Sequence, residues 1–202
     1  MSKSLRALIA GCAAVLALAV LSGCSTTRMI DSDVQSFTGT TAAVRPATYR
    51  FERLPSQTQS LQQDTLEAMA AKALAQVGLT QSATTSAEGR PRYSVQVSAQ
   101  VLVLQNTFSY GGMGGFWARH AGFGMGAWME PVWYRHGVHV LMRELTSGQV
   151  VYETSASFDG TWSDSGNLLP VLLQAALQDY PQPPAGPRKV NIELPGGPAQ
   201  QP

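Results

Sequence analysis

The only imidazoles are His120, His136 and His139, and they bound the acid–base and metal chemistry the chain can offer. His136 and His139 stand three apart in an alternating stretch. Successive strand residues point to opposite faces, so these two do not converge on one metal. Zinc sites draw on thiolates, imidazoles and carboxylates, and the only cysteines are Cys12 and Cys24. Neither a metal nor a cofactor is expected. A serine nucleophile on a strand-to-helix elbow would carry Gly-x-Ser-x-Gly, which is missing. A His/Ser/Asp site assembled by the fold, using His136 or His139, stays open as an alternative: a periplasmic hydrolase. Asp159, Ser163, Asp164 and Ser165 precede a helical pattern and read as turn and capping residues. Arg50 and Arg53 around Glu52 read as a solvated strand face. A phosphate cradle would need Gly-x-Gly-x-x-Gly after a strand or a Gly-Lys-Ser/Thr ending, and neither is present. No catalytic residue is expected, and the chain reads as a non-enzyme.

The chemistry that remains is at the amino terminus. Lys3 and Arg6 precede fifteen residues, Ala7 to Leu21, without a charged side chain, and Leu21-Ser22-Gly23-Cys24 follows. A spanning helix needs about 20 apolar residues, so this run is short for one. Its basic start and small-residue end are those of a signal peptide. The ending resembles the bacterial lipobox. That resemblance implies cleavage before Cys24, a diacylglycerol on its thiol and an acyl chain on its new amino group. Two or more chains make a stable anchor. Ser25, in place of Asp, implies transfer to the outer membrane, on its periplasmic side. Residues 1–23 are then signal peptide, and the mature chain has no free thiol.

Charge agrees with a lipid-held protein. The 202 residues are 44% hydrophobic and 13% charged, with formal net charge +1. Removing Lys3 and Arg6 from fourteen basic residues leaves twelve against thirteen acidic ones, or −1. Nucleic-acid binders concentrate positive charge, so no nucleic-acid partner is expected.

Residues 24–47, rich in Ser, Thr and Ala, read as the lipidated cysteine and a flexible tether. Thr48–Leu54 alternates as an opening strand. Ser60 with Gln63 is a capping-box signature. Leu66, Met69, Ala70, Ala73, Leu74 and Val77 then share one helical face, which Gly78 ends and Leu79 closes. A short strand is expected near Leu79. Arg92–Gln105, Val132–Leu145 and Gln149–Phe158 alternate as strands, the last two joined by Thr146-Ser147-Gly148. Asn167 can cap a second helix with Leu169, Leu172, Leu173, Ala176 and Leu177 inward. Lys189–Leu194 alternates once more within a stretch, 181–202, that holds seven prolines. The expected fold is α+β: an antiparallel sheet of about four to six strands with two helices packed on one face. The domain would span 48–194, and 195–202 would be a disordered tail.

These elements together resemble the DUF4136 family of bacterial lipoproteins. The resemblance rests on the strand after the lipidated cysteine and the helix ending at Gly78-Leu79. It rests also on the Ser147–Tyr152 hairpin and the closing helix before Asp179-Tyr180-Pro181. It covers roughly Thr48 to Pro181 and implies a fold and an envelope location, with no catalytic residue.

The remaining feature is the long connection at 106–131. Seven glycines fall between Tyr110 and Gly126, interleaved with Tyr110, Phe116, Trp117 and Phe123 and followed by Trp128, Trp133 and Tyr134. Loops of this length are functional or disordered. The strand leading in turns apolar on both faces at Leu102 and Leu104, and the returning strand places Trp133 and Tyr134 on opposite faces. The loop end of the hairpin should therefore be covered on both sides. Three things can cover it: the loop folding back as a lid, an envelope protein gripped by Trp and Tyr anchors, or the membrane surface, where those residues favour the interface. Tyr110, Phe116, Trp117, Phe123, Trp128 and Trp133 are the candidate interaction residues of a binding or envelope-maintenance module.

Overall fold

Alternation makes a strand out of a segment whose composition reads as a tether. The computed structural model describes residues 28–58, 60–82, 90–104 and 131–194. The chain divides into two units, Ile30–Ile192 and Met1–Met29 with Glu193–Pro202. Strand β1 runs Arg28–Thr38 and buries Ile30, Ser32, Val34 and Ser36 on one side, leaving the residues between them exposed. The flexible tether expected to reach residue 47 is thus ordered strand from residue 28 to 38. Half of the inward row is polar, and its hydroxyls are bonded: Ser32 Oγ donates to Val190 O at 2.8 Å, and Ser36 Oγ lies 2.7 Å from Thr154 Oγ1. Thr154 commits its own proton to Ala176 O at 2.8 Å, so Ser36 donates to Thr154.

β2 covers Ala47–Phe51, and a 3-10 turn at Pro55–Gln57 leads into helix α1, Leu61–Gln76. After it come β3 (Leu79–Gln81), β4 (Tyr93–Leu104), β5 (Trp133–Glu144), β6 (Val150–Gly160), helix α2 (Ser165–Leu177) and β7 (Arg188–Leu194). The seven strands form one sheet in the order β3-β2-β4-β5-β6-β1-β7. It is larger than expected and mixed: β2 is parallel to both β3 and β4, whereas β4, β5, β6 and β1 pair antiparallel. The parallel pair follows from α1, because only a crossover of that length returns β3 beside β2 in the same direction.

Local signals set the helix ends. Ser60 Oγ accepts from the Gln63 backbone N–H at 3.3 Å, and Gly78 takes φ +86° after the last turn. Gln63 does not reach back to complete a capping box. It is buried and donates to Val97 O and to Glu67 Oε1, both at 3.1 Å. In α2 the cap is Asp164, whose Oδ1 accepts from Asn167 N at 3.3 Å, so Asn167 is the capped residue and not the cap. Leu66, Ala70 and Leu74 of α1 and Leu172, Leu173 and Ala176 of α2 share a core with Tyr93, Val95 and Val97 of β4, Val138, Val140 and Met142 of β5, and Tyr152 and Ala156 of β6. Tyr49 joins it from β2, and burial first, with Glu67 adding, pushes its phenol up to about 12. Among the described residues, no helix is long and apolar enough to cross a membrane.

Candidate functional site

The strand register carries the core face out to the end of the β4–β5 hairpin. Val97 sits opposite Val140, Ala99 opposite Val138, Val101 opposite His136 and Val103 opposite Tyr134. Leu102 opposite Arg135, and Leu104 opposite Trp133, belong to the other face. The helix-covered core reaches as far as Val138. Beyond it Val101, Leu102, Val103, Val132 and Trp133 are 41% to 55% exposed. Among the described residues these five are left exposed, and they are apolar side chains from two faces of the hairpin end.

His136 lies where that core face gives way to the exposed end. It is fully buried, 6.3 Å from the Tyr134 ring centroid and directly across from Phe158, which stacks on Trp162 at 5.7 Å. Among the described residues, neither of its ring nitrogens has a hydrogen-bond partner. Burial lowers its pKa from the ordinary 6.5, against a smaller raising effect from Asp164. The unfolded chain takes up the proton near 6.5 and the folded chain only lower. Stability is thus unaffected above that value and declines as pH falls below it, until the lowered folded value is reached. Burying a polar group without a partner costs about 1–3 kcal/mol. His136→Phe is expected to raise the unfolding free energy by about that amount and to flatten its loss between about pH 7 and about pH 5. Urea melts at the two pH values check both.

Away from the hairpin end the opposite sheet face carries ion pairs, with Phe37 exposed among them. His139 Nε2 lies 2.9 Å from Glu153 Oε1, Arg135 holds Asp159 through two bonds of 2.7 and 2.5 Å, and Lys189 Nζ meets Asp33 at 2.8 Å. Arg135 holds the Asp159 carboxyl below its ordinary range. His136 and His139 do point to opposite faces. Ser98 and Ser155 flank His139 by register, yet among the described residues no serine hydroxyl is bonded to either imidazole. No group of three or more His, Cys, Asp or Glu there could hold a metal ion. Arg53 departs from the solvated reading. It joins Glu67 through two bonds of 2.7 Å and Asp64 at 2.6 Å, which raise its pKa, Glu67 first. At the far end of the sheet a depression of about 440 Å³ is lined by Arg45, Asp179, Tyr180 and Pro181.

Of the candidate interaction residues, Trp133 opens β5 and is exposed. Tyr110, Phe116, Trp117, Phe123 and Trp128 lie outside the described residues, as do His120 and the lipidation candidate Cys24. Val101, Val103 and Val132 were not among the candidates. The signal for them is that alternation persists past the last helix-covered row while the side chains stay apolar.

The family described as "Domain of unknown function (DUF4136)" matches residues 33–182. The chain belongs to the DUF4136 family. The DUF4136 match begins inside β1, fifteen residues before the expected Thr48, in keeping with β1 as part of the domain. No curated protein matches the chain. Among solved structures it is similar to the PelC dodecamer from Paraburkholderia phytofirmans, at 12% identity and a TM-score of 0.46, over 72% of this chain and 94% of that one. A point variant of that dodecamer in another crystal form gives 14% and 0.42 over the same shares. A PDZ domain protein from Parabacteroides distasonis gives 14% and 0.49, over 84% of this chain and 39% of that one. None of these likenesses bears on function.

Proposed function

We propose that the chain is an envelope lipoprotein, held by acyl chains on Cys24 in the periplasmic leaflet of the outer membrane, and that it works without catalysis. Its two helices pack on one face of the sheet, and its working element is the hairpin end with the connection 106–131, offered to a partner in the envelope. One observation carries the interaction reading: five apolar side chains stay exposed together at the hairpin end, while the open sheet face beyond them carries the pairs Arg135–Asp159, His139–Glu153 and Lys189–Asp33, with Phe37 exposed further along β1. Contiguous exposed apolar surface of this kind marks an interaction site on proteins. The anchor reading rests on Leu21-Ser22-Gly23-Cys24. Cys24→Ala is expected to abolish incorporation of labelled palmitate and to move the protein from the membrane to the soluble fraction. A Cys24→Ala chain that still incorporated palmitate would overturn it.

A further inference from the structure

We propose that the partner of the apolar hairpin end is the phospholipid surface that holds Cys24, an inference that rests on the lipid-anchor reading. Chain length and strand register carry it. Six peptide steps separate Cys24 from Ile30, the first buried residue of β1. At about 3.5 Å each they span at most about 21 Å, whatever path they take. The domain is therefore held close to its anchor, and only one end of the sheet can face it at that range.

That end is the hairpin end. Asp33 of β1 pairs with Ser157 of β6, Ser157 with Gly137 of β5, and Gly137 with Gln100 of β4. From this row β1 runs back to Ile30 in the direction in which β6 runs on to Gly160, β5 runs back to Trp133 and β4 runs on to Leu104. Tyr134 pairs with both Gly160 and Val103, so those strand ends are level. Three strand spacings separate β1 from β4, about 14 Å at ~4.8 Å each. This is less than the reach from Cys24. A bilayer that holds the acyl chains is thus within range of Val101, Leu102, Val103, Val132 and Trp133.

The chemistry fits an interface better than a charged lipid patch. Aliphatic and indole side chains on both faces of a strand pair form a wedge, and Trp and Tyr settle at the headgroup boundary. Among the charges on this part of the sheet, Arg135 is paired with Asp159 and Lys189 with Asp33. Contact should therefore not require anionic lipid and should resist salt.

The mature chain has no thiol besides Cys24, so a single introduced cysteine can carry a fluorescent probe. The acylated protein is reconstituted in vesicles of phosphatidylethanolamine and phosphatidylglycerol containing nitroxide-labelled lipid. A probe at Leu102→Cys should be quenched several-fold more than one at Thr146→Cys, in the turn at the other end of the sheet. A probe at Val132→Cys should lose its quenching when Leu102→Ser and Trp133→Ser are added, with an unchanged thermal melt showing that the variant is folded. Equal quenching at residues 102 and 146 in a palmitate-labelled protein overturns the inference and leaves the anchor standing. A probe at residue 102 that is shielded in native envelopes but unquenched in lipid vesicles also overturns it, in favour of a protein partner. Loss of palmitate labelling in the wild-type chain removes the anchor reading itself.

Discussion

A soluble chain that begins at residue 40 is expected to lose cooperative folding, whereas one that begins at residue 26 keeps it. β1 is an interior strand between β6 and β7. Its removal takes the fully buried Ile30 and Val34 out of the fold, each worth about 1.5–3 kcal/mol. It also removes six register pairs with β6, from Asp33–Ser157 to Thr38–Tyr152, whose ladder bonds contribute about 0.5–1.5 kcal/mol each. Val190 of β7 is left without its neighbour, and Ala156 and Thr154 of β6 are opened on that side. These losses are comparable with the whole stability of a domain, about 5–15 kcal/mol. Circular dichroism melts of the two chains test it. Matching transitions would restore the tether reading and remove the short lead between Cys24 and the sheet.

That strand marks where the sequence stops being legible. α1 is readable because Leu66, Ala70, Ala73 and Leu74 repeat on one face and Gly78 ends them. β4 and β5 are readable because Val95, Val97, Ala99, Val101 and Val103 and then Val138, Val140 and Met142 recur at every second place, and β6 because the Thr146-Ser147-Gly148 turn leads straight into it. β1 alternates as strictly, but Ser32 and Ser36 hold two of its four inward places. Their burial depends on acceptors at Val190 and Thr154, more than a hundred residues away, which local composition does not reveal. The same distance effect misplaced Gln63 and Arg53. Capping and solvation are the local readings of those residues, and long-range partners, Val97 O for one and Glu67 for the other, decide their roles. The parallel placement of β2 between β3 and β4 is a choice of strand order, and alternation is silent on order. The hairpin end was legible because its signal is local: Leu102 and Leu104 replace the serines and glutamines that precede them on the same face. What the pattern could not tell was whether anything folds over them.

Two leucines in the same sheet-and-helix body should separate core from contact surface. Leu172→Ala is expected to lower the unfolding free energy by about 2–5 kcal/mol, the range for large-to-small changes at fully buried sites. Leu172 is fully buried in α2, within the core that includes Val140 of β5 and Tyr152 of β6. The helix is held there partly by the Thr154 bond to Ala176 O, which limits how far it can settle into the space left behind. Leu102→Ala removes a similar side chain, but that leucine is 48% exposed, and a change there should stay within about 0.5 kcal/mol. Urea unfolding of both variants in the soluble chain gives the comparison. A loss of 2 kcal/mol or more on the order of a core site at residue 102 would mean that the hairpin end is packed under its own loop, and the lid would displace the contact surface. A near-zero value at residue 102 beside a large one at residue 172 means that the apolar end contributes little to folding. Its side chains are then available to the partner, which is the condition that any interaction reading of this end requires.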